Sequence, residues 1–121
     1  MKKLMTLCLL GASLLTGTAQ NSVSKTWVSD LGNGTYKNPV LYADYSDPDI
    51  CRVGDDYYMT ASSFNCLPGL PILHSKDLVN WTIIGHAVAS SLAPHSNTRP
   101  QHGNHIWAPC IRHHNGEFYI Y

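Results

Sequence analysis

The pattern around Pro48 returns around Pro109 at an offset of 61 residues, with no gap needed to align the two copies. Each copy reads Pro-x-Ile, then a turn, then an acidic residue, an aromatic residue and a tyrosine. The first is Pro48, Ile50, Gly54-Asp55 and Asp56-Tyr57-Tyr58; the second is Pro109, Ile111, Asn115-Gly116 and Glu117-Phe118-Tyr119. Two turn residues between short β-like runs mark a hairpin, and Asn-Gly is the strongest such signal. The first hairpin joins runs at 49–53 and 57–62, and two further runs follow at 71–74 and 81–86 before the next copy. A hairpin followed by two more strands, then repeated, is the pattern of β-propeller blades. The period exceeds the ~40–50 residues of common propeller repeats. A loop-like stretch at 90–104, with Pro94, Pro100 and Gly103, accounts for the excess. One blade cannot bury both of its faces alone, and closure needs roughly four to eight blades. The expectation is therefore an all-β chain holding the first blade and the opening hairpin of a second, as a fragment of a longer protein.

The first nineteen residues read differently. Lys2 and Lys3 precede an apolar run from Leu4 to Leu15, and Gly17-Thr18-Ala19 places small residues before Gln20. This is the layout of a secretory signal peptide cleaved near Ala19, and it predicts a secreted or periplasmic protein. Residues 20–37 are polar and rich in Gly, Ser, Thr and Asn, a lead-in to the β region at 38–121. With the two leader lysines gone, six basic side chains face eight acidic ones. That excludes the basic surface of a nucleic-acid binder. No apolar run reaches the length of a membrane span. Cys51, Cys66 and Cys110 remain after cleavage; their wide spacing gives no CxxC metal site, and they read as small buried strand residues.

The chemistry begins at Ser46-Asp47-Pro48. Proline suits the first position of a strand, and it biases the residue before it toward an extended conformation. An Asp held at the entry to an innermost blade strand is placed for work at the propeller axis. An ordinary turn Asp is the bland alternative.

The residues around this motif resemble glycoside hydrolase family 43, of the β-xylosidase and α-L-arabinofuranosidase type. The matching stretches are Asn38-Pro39-Val40-Leu41, Ser46-Asp47-Pro48, Arg52 to Tyr58, and Ala61-Ser62-Ser63-Phe64. They continue through Pro68 to Ile72, His74 to Trp81, Ile84-Gly85-His86 and His105-Ile106-Trp107-Ala108-Pro109. The resemblance implies a five-bladed β-propeller with a sugar pocket at one end of its axis. It implies hydrolysis of xylan- or arabinan-derived oligosaccharides or polysaccharides with inversion, by two carboxyl groups about 6.5–9.5 Å apart. By the same resemblance Asp47 is the general base, and Phe64 and Trp107 line the pocket around the terminal sugar; His105, just before Trp107, reads as a polar group at the pocket rim. No cofactor is implied, and nothing sets the oligomeric state.

The general acid of such enzymes is a Glu from a later blade. The only Glu here, Glu117, follows the Asn115-Gly116 turn and reads as a solvated hairpin residue. Asp44, Asp49, Asp55 and Asp77 read as turn or surface carboxylates. The chain alone is thus expected to be inactive. No metal site is expected, because His113 and His114 alternate faces on a strand and His102 and His105 lack a third ligand. Two other readings stay open: a non-catalytic carbohydrate-binding propeller, and a retaining, fructan-type hydrolase with its carboxyl groups about 5–5.5 Å apart.

Overall fold

The computed structural model describes residues 26–89, 103 and 106–121. The signal peptide, the start of the lead-in and His105 lie outside the described residues. Six strands follow in order: β1 (Asp49–Val53), β2 (Asp56–Thr60), β3 (Gly69–Ser75), β4 (Thr82–Val88), β5 (Ile111–His114) and β6 (Glu117–Ile120). Strands β1 to β4 form one antiparallel sheet in sequence order, and β5 and β6 form a separate antiparallel pair. No helix among the described residues is long and apolar enough to cross a membrane.

The repeat is a repeat of structure. Val53 pairs with Asp56 across the first turn, and His114 pairs with Glu117 across the second. Both are two-residue loops, but their backbones differ. Gly54 alone has positive φ in the first (62°), whereas Asn115 (51°) and Gly116 (83°) both do in the second. That is the sign pattern of a II′ turn and of a I′ turn, the two hairpin turns that match strand twist.

Three strands differ in their bounds from the sequence expectation. Strand β2 ends at Thr60, so Ala61-Ser62-Ser63 leaves the ladder. Strand β4 runs later, to Val88. Strand β3 begins at Gly69, inside the Pro68-Gly69 pair that reads as a chain break. A Cβ at Gly69 would lie 2.9 Å from the Ser63 hydroxyl, so glycine permits a strand to start where a side chain would collide. Between β3 and β4 the register slips: Ile72 pairs with Gly85 but Leu73 with Ile83, leaving Ile84 as the extra residue of a bulge on an edge strand.

The described core is small: Met59, Ala61, Leu70, Leu73 and Ile111. Leu73 and Ile111 are about 1% exposed, and burying each is worth roughly 1.5–3 kcal/mol. Strand β5 lies against β1 and β2, with Phe118 of β6 tilted on Tyr58 at 4.6 Å between ring centroids. Asp49 ties the two units. It accepts hydrogen bonds from the Ile111 N–H (2.7 Å) and from the Arg112 guanidinium. Burial opposes its ionisation, but these donors outweigh it and hold the carboxyl below its usual range. The expectation of a turn or surface carboxylate at Asp49 is corrected accordingly: the partners that engage it come from 62 and 63 residues away.

Candidate functional site

Antiparallel pairing brings the entry to β1 beside the exit from β2, since Asp49 faces Thr60. Beyond the ladder the two segments stay together, because the Ser62 N–H donates to the Ser46 carbonyl at 2.9 Å. A third segment joins them from the second hairpin. The amides of Ser63 and Phe64 both donate to the Ile106 carbonyl, at 3.2 and 3.1 Å, and the Ile106 N–H donates back to the Phe64 carbonyl at 3.3 Å. Residues 46–48, 61–64 and 106–109 thus meet at one end of the sheet.

Asp47 stands on the first of these segments and is exposed. Its Oδ2 accepts from the Ser62 hydroxyl at 2.8 Å and from the Ser46 hydroxyl at 3.0 Å. Its backbone is not extended, as the following proline suggests; φ is 50°. Asp tolerates this left-handed region better than most residues, and the hydroxyl contacts hold its carboxylate over Ser62. Phe64 (φ 48°) and Ala108 (φ 42°) share the left-handed backbone. Three such residues in three converging segments mark a strained end of the sheet, which is where functional sites concentrate.

Phe64 is half-buried and meets Trp107 edge to face, at 5.8 Å between ring centroids and 69° between planes. The Trp107 indole is 61% exposed, and its Nε1–H donates to the Gly103 carbonyl. The tryptophan is therefore largely exposed on a ring held by Phe64 and through its nitrogen. Such a surface accepts the C–H face of a sugar ring. A cavity of about 320 Å³ is lined by Phe64, Ser62, Ser63, Asp44, Tyr45 and His86; Asp47 and Trp107 are not part of its lining. Burial pushes the Tyr45 hydroxyl pKa up. No group of three or more His, Cys, Asp or Glu side chains that could hold a metal occurs among the described residues.

Three expected site residues are described. Asp47 and Trp107 are brought to one end of the fold through Ser62, whose hydroxyl also accepts the Ala108 N–H at 2.7 Å. Phe64 is joined to them through Trp107. Ser62 is the residue that sequence reasoning left without a role. Its one signal was a small polar residue in a run leaving a strand, beside the aromatic that was singled out.

The family model described as glycosyl hydrolases family 43 matches residues 36–121. A β-xylosidase of Formosa agariphila is 50% identical over 95 residues, covering 76% of this chain and 16% of the relative. The non-reducing end α-L-arabinofuranosidase BoGH43B of Bacteroides ovatus is 43% identical over 101 residues, covering 78% and 18%. Among solved structures, the GH43 BlXynB protein from Bacillus licheniformis superimposes with a TM-score of 0.62 at 47% identity, over 70% of this chain and 16% of that one. This chain spans less than a fifth of the length of the relatives it matches.

Proposed function

This chain belongs to glycosyl hydrolases family 43, and from that premise we propose that the whole protein is an exported glycosidase. It hydrolyses O-glycosidic bonds of xylan- or arabinan-derived saccharides with inversion, on a five-bladed β-propeller. Relatives named as a β-xylosidase and an α-L-arabinofuranosidase support that substrate class. One observation carries the mechanistic part. A carboxylate with one oxygen held by two hydroxyls sits on the same hydrogen-bonded strand end as an exposed tryptophan.

In this reading Trp107 and Phe64 receive the terminal sugar, and His105 provides a rim hydrogen bond. The Asp47 carboxylate takes a proton from the water that attacks the anomeric carbon from the face opposite the leaving oxygen. Inversion needs a second carboxyl group about 6.5–9.5 Å away to protonate that oxygen. We assign that role to none of the other seven acidic side chains. Asp49, Asp56 and Asp77 are engaged by Arg112, Lys76 and Asn80, and Asp30 by Asn80. Asp55 and Glu117 are exposed at the hairpin turns, and Asp44, which lines the cavity of about 320 Å³, is an exposed Asp where the family resemblance implies a Glu. The acid is therefore assigned to the remainder of the whole protein.

The test uses the whole protein with an aryl β-D-xyloside and an aryl α-L-arabinofuranoside. Hydrolysis of at least one is expected, with Asp47→Ala lowering kcat by about 10²–10⁴-fold, the usual range for a general base. The first-formed sugar, followed by NMR, is expected to have the inverted anomeric configuration. Retained configuration would assign Asp47 a nucleophilic role instead, and sugar binding without turnover would favour a carbohydrate-binding propeller.

A further inference from the structure

We infer that Ser62 is a positioning residue, one hydroxyl that fixes the Asp47 carboxylate relative to the segment carrying Trp107; this rests on the reading of Asp47 as general base. Ser62 is 6% exposed. Its Oγ receives the Ala108 N–H at 2.7 Å and lies 2.8 Å from Asp47 Oδ2. A hydroxyl has a single hydrogen. Because the amide is a donor, that hydrogen is free for an acceptor, and the acceptor in reach is the carboxylate. The amide thus sets the direction in which Ser62 donates. A donor feeding a donor also strengthens the second bond by polarisation.

The neighbours show that this is not the generic behaviour of a hydroxyl at this depth. Thr60 Oγ1 and Ser63 Oγ are also buried on this strand end, and neither has a hydrogen-bond partner. Ser62 bonds on both sides, and its own N–H fixes the Ser46 carbonyl one residue before Asp47. The result is asymmetric at the carboxylate. Ser46 and Ser62 both donate to Oδ2, and among the described residues Oδ1 receives no donor. Oδ2 is the anchored oxygen and Oδ1 the one presented to a water. The Trp107 segment has its own attachment through the Ser63 and Phe64 amides on Ile106. Loss of the Ser62 hydroxyl should therefore disturb the base more than the sugar platform.

The experiment measures kcat and KM of the whole protein on an aryl glycoside it cleaves, for Ser62→Ala, Ser62→Cys, Ser62→Thr, Asp47→Asn and the Ser62→Ala/Asp47→Asn pair. A hydrogen bond to a charged group lost at the rate-determining step corresponds to about ten- to hundredfold in kcat. Ser62→Ala and Ser62→Cys are expected to lose that factor with KM within about threefold of wild type, because the separate attachment of the Trp107 segment remains. Cysteine fills the space but donates weakly, so it carries the test should the alanine variant fold poorly. Ser62→Thr keeps the hydroxyl and is expected to recover most of kcat. In the Asp47→Asn background, Ser62→Ala should add almost nothing, because both act through one carboxylate. Wild-type kcat in Ser62→Cys, or the full Ser62 factor persisting beside Asp47→Asn, overturns the inference and leaves the base in place. Wild-type kcat in Asp47→Asn sinks the underlying reading instead.

Discussion

At the scale of single residues, the turn between β3 and β4 shows how a short sequence writes its own geometry. Asp77 Oδ1 accepts from the Ser75 hydroxyl (3.0 Å), the Val79 N–H (2.9 Å) and the Asn80 N–H (2.7 Å), while Oδ2 accepts from the Asn80 side-chain amide (2.8 Å). Ser75 Oγ in turn accepts the Asp77 and Leu78 amides. Asx and Ser turns of this kind satisfy backbone groups that a tight connection leaves unpaired. The Asn80 side chain, with the Asn80 and Val79 amides, holds the Asp77 carboxyl far below the usual carboxylate range. A group whose folded pKa is depressed contributes stability above its unfolded pKa and loses it as pH falls toward the folded value. Amide exchange should therefore find Val79 and Asn80 protected at neutral pH, with protection declining once pH drops below about 4. Asp77→Ala should expose both amides at neutral pH and remove that dependence; an unchanged exchange pattern would show that the carboxylate does not hold the turn. The same scale explains why Asp47 was only partly legible. Its position before a proline is written locally, but its left-handed backbone and its contact with a hydroxyl fifteen residues away are not.

At the scale of elements, the tie between the first sheet and the second hairpin passes through Asp49. Its bonds to the Ile111 amide and the Arg112 guanidinium have unequal weight. Ile111 is fully buried, so its N–H has no solvent to turn to. The Arg112 side chain is 56% exposed. Removing the acceptor with Asp49→Ala should cost about 1–3 kcal/mol, the penalty of an unpaired buried donor, with fast exchange at the Ile111 amide. Removing the exposed cation with Arg112→Ala should cost less than about 1 kcal/mol and leave that amide slow. Equal losses would make the ion pair, not the amide bond, the tie. Hairpins of this chain could be read from sequence because turn chemistry is local: Gly54-Asp55 and Asn115-Gly116 declare themselves. The start of β3 could not, since Gly69 is permitted there by the Ser63 side chain, a contact made only in the folded chain. The docking role of Asp49 was illegible for the same reason, and so was Ser62, whose partners lie fifteen and forty-six residues away.

At the scale of the whole molecule, the two faces of the β1–β4 sheet are unequally covered. The β5–β6 hairpin lies over one, where Ile111 is buried and Phe118 meets Tyr58. Elsewhere an open groove of about 730 Å³ is lined by Pro39, Val40, Leu41, Ile50, Met59 and Trp81. Ile83, Ile84 and Tyr42 add exposed apolar surface. A blade needs a neighbour on each face, and larger apolar patches mark surfaces meant to be covered. Two properties of the isolated 121-residue chain follow. It should bind an apolar dye such as ANS strongly, and the whole protein should bind little where a neighbouring blade covers the groove. It should also fail to hydrolyse an aryl xyloside or arabinofuranoside at any pH, since Asp47 can serve water or the leaving oxygen but not both within one inverting step. Turnover by the isolated chain, abolished by Asp47→Ala, would mean that a second carboxyl group of this segment reaches the leaving oxygen. The other half of the proposed catalytic pair would then lie within these residues, and the assignment of the acid to the remainder of the protein would fall.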